Sequence, residues 1–339
     1  MISPSGICNL GCKFCAYRHK ERPKRVMSNE RFFALVDQAT QMGYTQIGLT
    51  PMTGDVYTDP DFVSKLSFLE EHPAVEAYYF YTNLTLPTHD RLRESLTDCD
   101  KLVRGERSLY VSVYGHDEDS FSEITGRGER EYRRLVSNLN FLSEFVDDPE
   151  KVEVGFRTYD DTDPIEIIDD RSADGSEVLE AVRDLRDDVG VQVTNHTGVY
   201  NNWGGTVSDE DVEDIDMEVS EAKLDKDGPC QLIFNKNIIL PDGKVNACAC
   251  RDVEATLCLG DTNENTLDEI LSPSANETYR RLITRHDSGD FPEICRTCDM
   301  YQSIREPRSG PRVDLEEFYR YYDPQKDEYD PERKRYTSG

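Results

Sequence analysis

Apolar positions recur with helical spacing in SNERFFALVDQATQMG (28–43), where Phe32, Leu35, Val36 and Ala39 share one face. Ser28 stands at the N-cap position and Gly43 ends the run. The short apolar run TQIGLT (45–50) follows, then PDFVSKLSFLEE (60–71) and VEAYYFYTN (75–83). The alternation continues with strand-like SLYVSVYG (108–115), helix-like REYRRLVSNLNFLSEFV (130–146), strand-like KVEVGFRTY (151–159), helix-like SEVLEAVRDLRDD (176–188) and strand-like VGVQVTN (189–195). Repeated βα units predict a parallel sheet with helical crossovers, either an open doubly wound sheet or a barrel. Functional residues then belong on loops at the carboxyl ends of the strands.

The pattern changes after Gly205. Residues 206–228 are acidic and free of aromatics and read as a linker. CQLIFNKNIILPDGKVNACAC reads as a hairpin, two apolar runs joined at Pro241-Asp242-Gly243. The helical pattern NTLDEILSPSANETYRRLITRH then leads to Cys295 and Cys298. From Arg305 the chain is rich in Pro, Tyr and charge, with one helix expected at 313–322. No apolar run approaches the ~20 residues of a membrane span, and no signal peptide precedes the first cysteines. A cytoplasmic protein without a membrane partner is expected.

Composition narrows the partners. The net charge is −29, from 68 acidic and 39 basic residues, which argues against nucleic acid, whose phosphates demand a basic footprint. The acid is spread along the chain, Asp is frequent and Lys is scarce beside Arg, a pattern that fits a halophilic source. Against this background YRHKERPKR (17–25) is a dense basic run, a solvated loop or a docking patch for an acidic electron donor or an anionic substrate.

Nine of the ten cysteines fall into two groups, at 8–15 and 230–298, with Cys99 apart. In such a chain this points to metal rather than disulfides. Cys8, Cys12 and Cys15 form C-x3-C-x2-C. Three thiolates can hold three irons of a [4Fe–4S] cluster and leave the fourth iron open. The alternative is a structural zinc completed by His19. The second group, Cys230, Cys248, Cys295 and Cys298, supplies a complete four-cysteine site; Cys250 can replace Cys248, since residues two apart on a strand face the same way. A zinc ribbon is the alternative there. Cys258 and Cys99 read as small buried hydrophobes.

CNLGCKFCAY, with Phe14 before the third cysteine, resembles the signature of radical SAM enzymes. LTPMTGD (49–55) is similar to the family's Gly-Gly-Glu segment, and YFYTNLTL to its T-N-G strand end, with Leu84 in the glycine's place. The resemblance covers about the first 200 residues. It implies a partial (β/α)6 TIM-like barrel in which Cys8, Cys12 and Cys15 carry a [4Fe–4S] cluster that binds S-adenosylmethionine (SAM). It places Phe14, Thr53, Gly54, Asp55, Asn83, Ser112 and Arg157 around SAM, Asp55 being one methylene shorter than the family's acid. Residues 229–300 resemble the SPASM/twitch cysteine framework, in its form with a second, single auxiliary [4Fe–4S] cluster. The expected organisation is a radical SAM core over 1–205, an acidic linker over 206–228, a small α+β auxiliary-cluster domain over 229–304 and a charged tail over 305–339.

NNWGG (201–205) holds the chain's one Trp at a strand's carboxyl end, which makes Asn202 and Trp203 candidates for a substrate-pocket wall or for a packed turn. The resemblance implies reductive cleavage of SAM to a 5′-deoxyadenosyl radical that abstracts hydrogen, with flavodoxin or ferredoxin as donor. A single auxiliary cluster resembles the arrangement in cyclitol-oxidising members, so the expected substrate is a polar small molecule, sugar- or cyclitol-like. Peptide-modifying members often carry an N-terminal leader-binding module, which nothing before Cys8 supplies. Peptide or protein modification is therefore the second expectation, and a non-catalytic iron–sulfur or zinc-binding protein the third. ISPSGI is short for a full first strand: either that strand is stunted or the true start lies upstream of Met1.

Overall fold

The computed structural model describes all residues except 105–107, 171–174, 197–198, 222–223 and 306–339. The helix expected at 313–322 and the tail beyond Arg305 lie outside the described residues.

Five parallel strands, β1 (Gln46–Gly48), β2 (Ala77–Thr82), β3 (Leu109–Tyr114), β4 (Val152–Arg157) and β5 (Gln192–Asn195), pair in chain order. Helix Asn29–Gln41 precedes β1, and helices Phe62–Glu71, His89–Leu96, Glu129–Phe145 and Glu177–Asp184 lie between successive strands. This is the expected α/β architecture, a partial barrel. The first helix starts where the Ser28 side chain accepts the Arg31 amide, and it buries Phe32, Leu35, Val36 and Ala39. Along β2, Tyr78 and Phe80 are fully buried, whereas the alternating Tyr79 and Tyr81 face a cavity. The polar ends of β3 and β4 are in register, with Ser112 opposite Gly155 and Tyr114 opposite Arg157.

The sixth strand position is filled by Met1–Ser3. The Ile2 amide donates to Gly48 O (2.9 Å), the Ser3 amide to Ile239 O (2.8 Å) and the Ile239 amide to Met1 O (2.9 Å). This short stretch therefore stitches β1 to a second sheet, antiparallel β6 (Ile238–Ile239), β7 (Lys244–Asn246) and β8 (Cys258–Asp261). Cys258 is half-buried at the start of β8, not in the core, whereas Cys99 is buried with its thiol 2.9 Å from Leu96 O.

Residues 206–221 carry an apolar pattern between their acids. Val207, Val212, Ile215, Met217 and Val219 are buried, and backbone bonds tie Glu218 and Ser220 to Tyr200, and Asp216 to Asp160. No described helix is long and apolar enough to cross a membrane.

Candidate metal centre and active site

The loop that carries the first cysteines is fastened on several sides. Gly11 and Lys13 donate backbone amides to Thr125 O and Ile124 O, Gly6 donates to Arg25 O, and Asp55 donates to Ile7 O at 2.8 Å. Cys8, Cys12 and Cys15 line one wall of a cavity of about 1410 Å³. Burial pushes the Cys8 thiol up to about 12, with the Asp55 charge adding to it. Burial also raises Cys12, followed by the charges of Cys15 and Cys8, and it raises Cys15. Metal must therefore displace protons from these thiols.

His19 does not join them. Its Nε2 lies 2.7 Å from Asp211 Oδ1. Among the described residues, no three Cys, His, Asp or Glu side chains converge tightly enough for a single metal ion. Around one zinc, at Zn–S of about 2.3 Å, thiolates crowd to within about 4 Å of one another. A cubane instead gives each thiolate its own iron.

The T-G-D segment packs against this loop. Gly54 has φ +148°, and a Cβ there would sit 2.9 Å from Ile7 O and 3.1 Å from Ser5 O, so only glycine allows the approach. Asp55, 1% exposed, is saturated by protein donors. Its Oδ1 accepts the Tyr57 amide (2.9 Å); its Oδ2 accepts the Thr82 hydroxyl (2.9 Å) and the Asn83 amide (2.7 Å). Burial still raises its pKa above the usual carboxylate range. The acid thus clamps the segment to the end of β2, a task its sequence position did not reveal. The hydroxyls of Thr50 and Thr53 are buried without a partner among the described residues, and both residues line the cavity. Asn83 Nδ2 donates to Asn9 Oδ1 (3.1 Å) and points at Cys8 Sγ (3.9 Å). Leu84, in the glycine's place, keeps the left-handed backbone at φ 58°.

Phe14, Ser112 and Arg157 meet on the same cavity. The Phe14 ring stacks on Tyr200 (centroids 5.3 Å) and leans on Tyr114 (5.5 Å), while the Arg157 guanidinium lies 5.9 Å from its centroid. No described residue hydrogen-bonds or pairs with that guanidinium. Beside it, Tyr110 Oη and His196 Nε2 are 2.9 Å apart, and burial with the Arg157 charge lowers His196. Tyr114, Tyr200 and His196 escaped the sequence reading, since aromatic residues at strand ends carry no motif.

The second group assembles from distant segments. Cys230 precedes a short helix, Cys248 follows β7, Cys295 lies in the short helix Glu293–Arg296 and Cys298 follows it. Burial pushes Cys230 up to about 12, with the charges of Cys248 and Cys298 adding to it. It likewise raises Cys295, on which Cys248, Cys230 and Cys298 all act. Cys250 differs. Its thiol and that of Cys248 act on each other, yet Cys250 lines the large cavity, which Cys230, Cys248, Cys295 and Cys298 do not. Asp252 shapes this loop, accepting from Asn246, Thr256 and Leu257. His286, fully buried, accepts the Cys230 amide at Nδ1 (3.3 Å).

Asn202 does not line the cavity and takes the packed-turn alternative rather than the pocket wall. Its side chain donates to Thr297 O (2.8 Å) and its amide to Asp299 Oδ2 (3.1 Å), so it holds the second cysteine group. Trp203 and Asn201 line the cavity. The basic run 17–25 is largely neutralised within the molecule. Arg22 pairs with Asp242 and His19 with Asp211, Arg18 reaches Asp211 O, and Lys24 lies over Tyr17. Burial lowers Lys20 to about 8, and its ammonium bonds Gly6 O.

Comparison with known proteins accords with this geometry. Residues 2–171 match the model of the radical SAM superfamily, and residues 230–299 match the SPASM iron–sulfur cluster-binding domain. A search of curated proteins by sequence gave no match. Among solved structures, BtrN in complex with AdoMet and 2-DOIA superposes with TM-score 0.53 at 13% identity, over 89% of this chain and 92% of BtrN. SuiB of Streptococcus suis bound to precursor peptide SuiA gives TM-score 0.52 at 15% identity, over 80% of this chain and 63% of SuiB. The anSMEcpe structure with bound AdoMet gives 0.51 at 12%, over 96% of this chain and 92% of that one. The chain belongs to the radical SAM superfamily, and its C-terminal part is an iron–sulfur cluster-binding SPASM domain.

Proposed function

We propose that Cys8, Cys12 and Cys15 hold the [4Fe–4S] cluster that binds SAM, and that the enzyme abstracts hydrogen from a polar small molecule, sugar- or cyclitol-like, to oxidise or rearrange it. The observation that carries this reading is one continuous cavity. It joins the three thiols to Tyr79, Tyr81, Tyr114 and Ser112, to the Thr50 and Thr53 hydroxyls, unpartnered among the described residues, and to Arg157, which has no acidic partner among them. A substrate able to hydrogen-bond satisfies these groups, which an apolar one leaves unpaired.

When bound, the cluster and SAM supply homolysis of a carbon–sulfur bond and a hydrogen-abstracting 5′-deoxyadenosyl radical. The chain supplies orientation and dryness. Thr53 offers its hydroxyl to the SAM amino group, with Gly54 and Asp55 holding that hydroxyl in place through the bonds to Ile7, Thr82 and Asn83. Arg157 takes the SAM carboxylate and Ser112 its polar edge. Phe14, stacked between Tyr114 and Tyr200, keeps water from the thiols. Cys230, Cys248, Cys295 and Cys298 hold the auxiliary cluster, and Cys250 stays a free thiol of the cavity. Reduction comes from an external flavodoxin or ferredoxin; Arg18, Lys24 and Arg25 are exposed cations of the run beside the loop.

A peptide substrate is the second reading, supported by the superposition on SuiB bound to its precursor peptide. Deuterium transfer decides between them. The reconstituted enzyme is given SAM, dithionite and either carbon-deuterated aminocyclitols and sugars or deuterated peptides. Label in 5′-deoxyadenosine from the polyols supports the first reading; label from peptides alone overturns it.

A further inference from the structure

The five residues NNWGG tie the two cysteine groups together. On one side, the Trp203 indole Nε1–H donates to Phe14 O (3.0 Å), between Cys12 and Cys15. On the other, Asn202 grips both flanks of Cys298, through Thr297 O (2.8 Å) and Asp299 Oδ2 (3.1 Å). The glycines bring the turn against the same knuckle. A Cβ at Gly204 (φ +66°) would lie 2.5 Å from Ile294 Cδ1, and one at Gly205 would lie 3.0 Å from Thr297 Cβ. The Thr297 hydroxyl also donates to Gly204 O. Arg251 closes the figure: it lies over the Trp203 ring (5.7 Å), pairs with Asp299 (3.3 Å) and bonds Cys250 O (2.7 Å). Trp203 holds φ +50°, a conformation a bulky residue keeps only when its surroundings enforce it.

We propose that Trp203 and Asn202 are positioning residues that couple the two metal centres, so that an intact auxiliary site fixes the Phe14 turn and thereby the SAM pocket. Losing the auxiliary cluster frees Thr297 and Asp299, the turn loses its anchor, and Phe14 O loses its donor. SAM affinity then depends on cysteines that never touch SAM. The coupling is carried by rigid hydrogen-bonded contacts rather than by charge. It rests on the reading that Cys8, Cys12 and Cys15 carry the SAM-binding cluster.

A double-mutant cycle on reconstituted protein tests it, with equilibrium dialysis of radiolabelled SAM and iron counted for each protein. Trp203→Phe keeps an aromatic ring and removes the indole N–H. It is expected to keep about eight irons per chain and to weaken SAM binding roughly five- to tenfold. Cys295→Ser/Cys298→Ser, which removes the auxiliary ligands, is expected to weaken SAM binding by a similar factor. The combined variant should bind no worse than either parent. Asn202→Ala removes the side-chain bond to Thr297 O, keeps the backbone bond to Asp299 and does not touch Phe14; it should weaken SAM binding more than twofold, which covers the case in which Trp203→Phe fails to load. Fully multiplicative losses, or SAM affinity within twofold of wild type in Trp203→Phe and Asn202→Ala, overturn the coupling. No SAM binding by the wild-type protein with both clusters overturns the underlying reading instead.

Discussion

The two cysteine groups solve one chemical problem in opposite ways. Cys8, Cys12 and Cys15 sit on one loop of eight residues, and that loop is braced by strand-end and helix-end backbone from the core. Cys230, Cys248, Cys295 and Cys298 span 69 positions in sequence numbering and meet only because β6–β8, the loop around Asp252 and the NNWGG turn deliver them. The first group is a local motif, set by spacing within one loop. The second is a tertiary product, so its metal depends on packing far from any thiol.

The largest effect expected from breaking this comparison is on turnover. Cys12→Ala should abolish SAM cleavage, at least 10³-fold, and halve the iron, because the open-iron cluster is the source of the radical chemistry. Cys230→Ala should also halve the iron yet leave measurable SAM cleavage. Equal residual cleavage in the two variants would contradict the division of labour.

Next is Asp55→Asn. An amide nitrogen would face the Tyr57 amide on one side, or the Thr82 hydroxyl and the Asn83 amide on the other, leaving buried donors unpaired. The expected cost is about 2–3 kcal/mol, read as a lower midpoint in urea. An unchanged midpoint would mean that Asp55 serves the ligand and not the loop.

A smaller, two-sided effect separates Cys248 from Cys250. Cys250→Ala should keep the iron of both clusters, whereas Cys248→Ala should lose that of the auxiliary one. The reverse pattern would exchange their roles.

The mildest effect is on pH. Metal-free protein holds Cys8 and Cys230 as thiols raised to about 12 from the ordinary 9.0, in both cases mainly by burial. A folded-state pKa above the unfolded value contributes stability that is present below pH 9 and lost as pH rises toward 12. The melting temperature of metal-free protein should therefore fall above pH 9, and cluster-loaded protein, with its thiolates on iron, should fall less. Parallel curves would show that these thiols do not bind the metal.

Much of the barrel was legible because period-2 and period-3.6 patterns alternate cleanly from Ser28 to Val193 and because the turn residues agree with them. What stayed hidden was tertiary. The acids of 206–221 concealed a buried row of Val, Ile and Met spaced too irregularly for either period. The zinc alternative at Cys8–His19 failed because His19 faces Asp211, a partner 192 residues away. Asn202, expected at a pocket wall or in a packed turn, spends its side chain on Thr297, and Asp55, expected at SAM, spends its oxygens on Thr82, Asn83 and Tyr57. Short polar residues beside glycines mark a special backbone, but their partners come from across the fold. Leu84 shows the converse: the glycine signature vanished while the left-handed backbone survived.

The central claim is that Cys8, Cys12 and Cys15 carry a cluster that reductively cleaves SAM. Protein reconstituted anaerobically with iron and sulfide, then given SAM and dithionite, should yield 5′-deoxyadenosine and methionine in equal amounts from about eight irons per chain. No 5′-deoxyadenosine from protein with both clusters intact, or about one zinc per cysteine group and no sulfide, would contradict it.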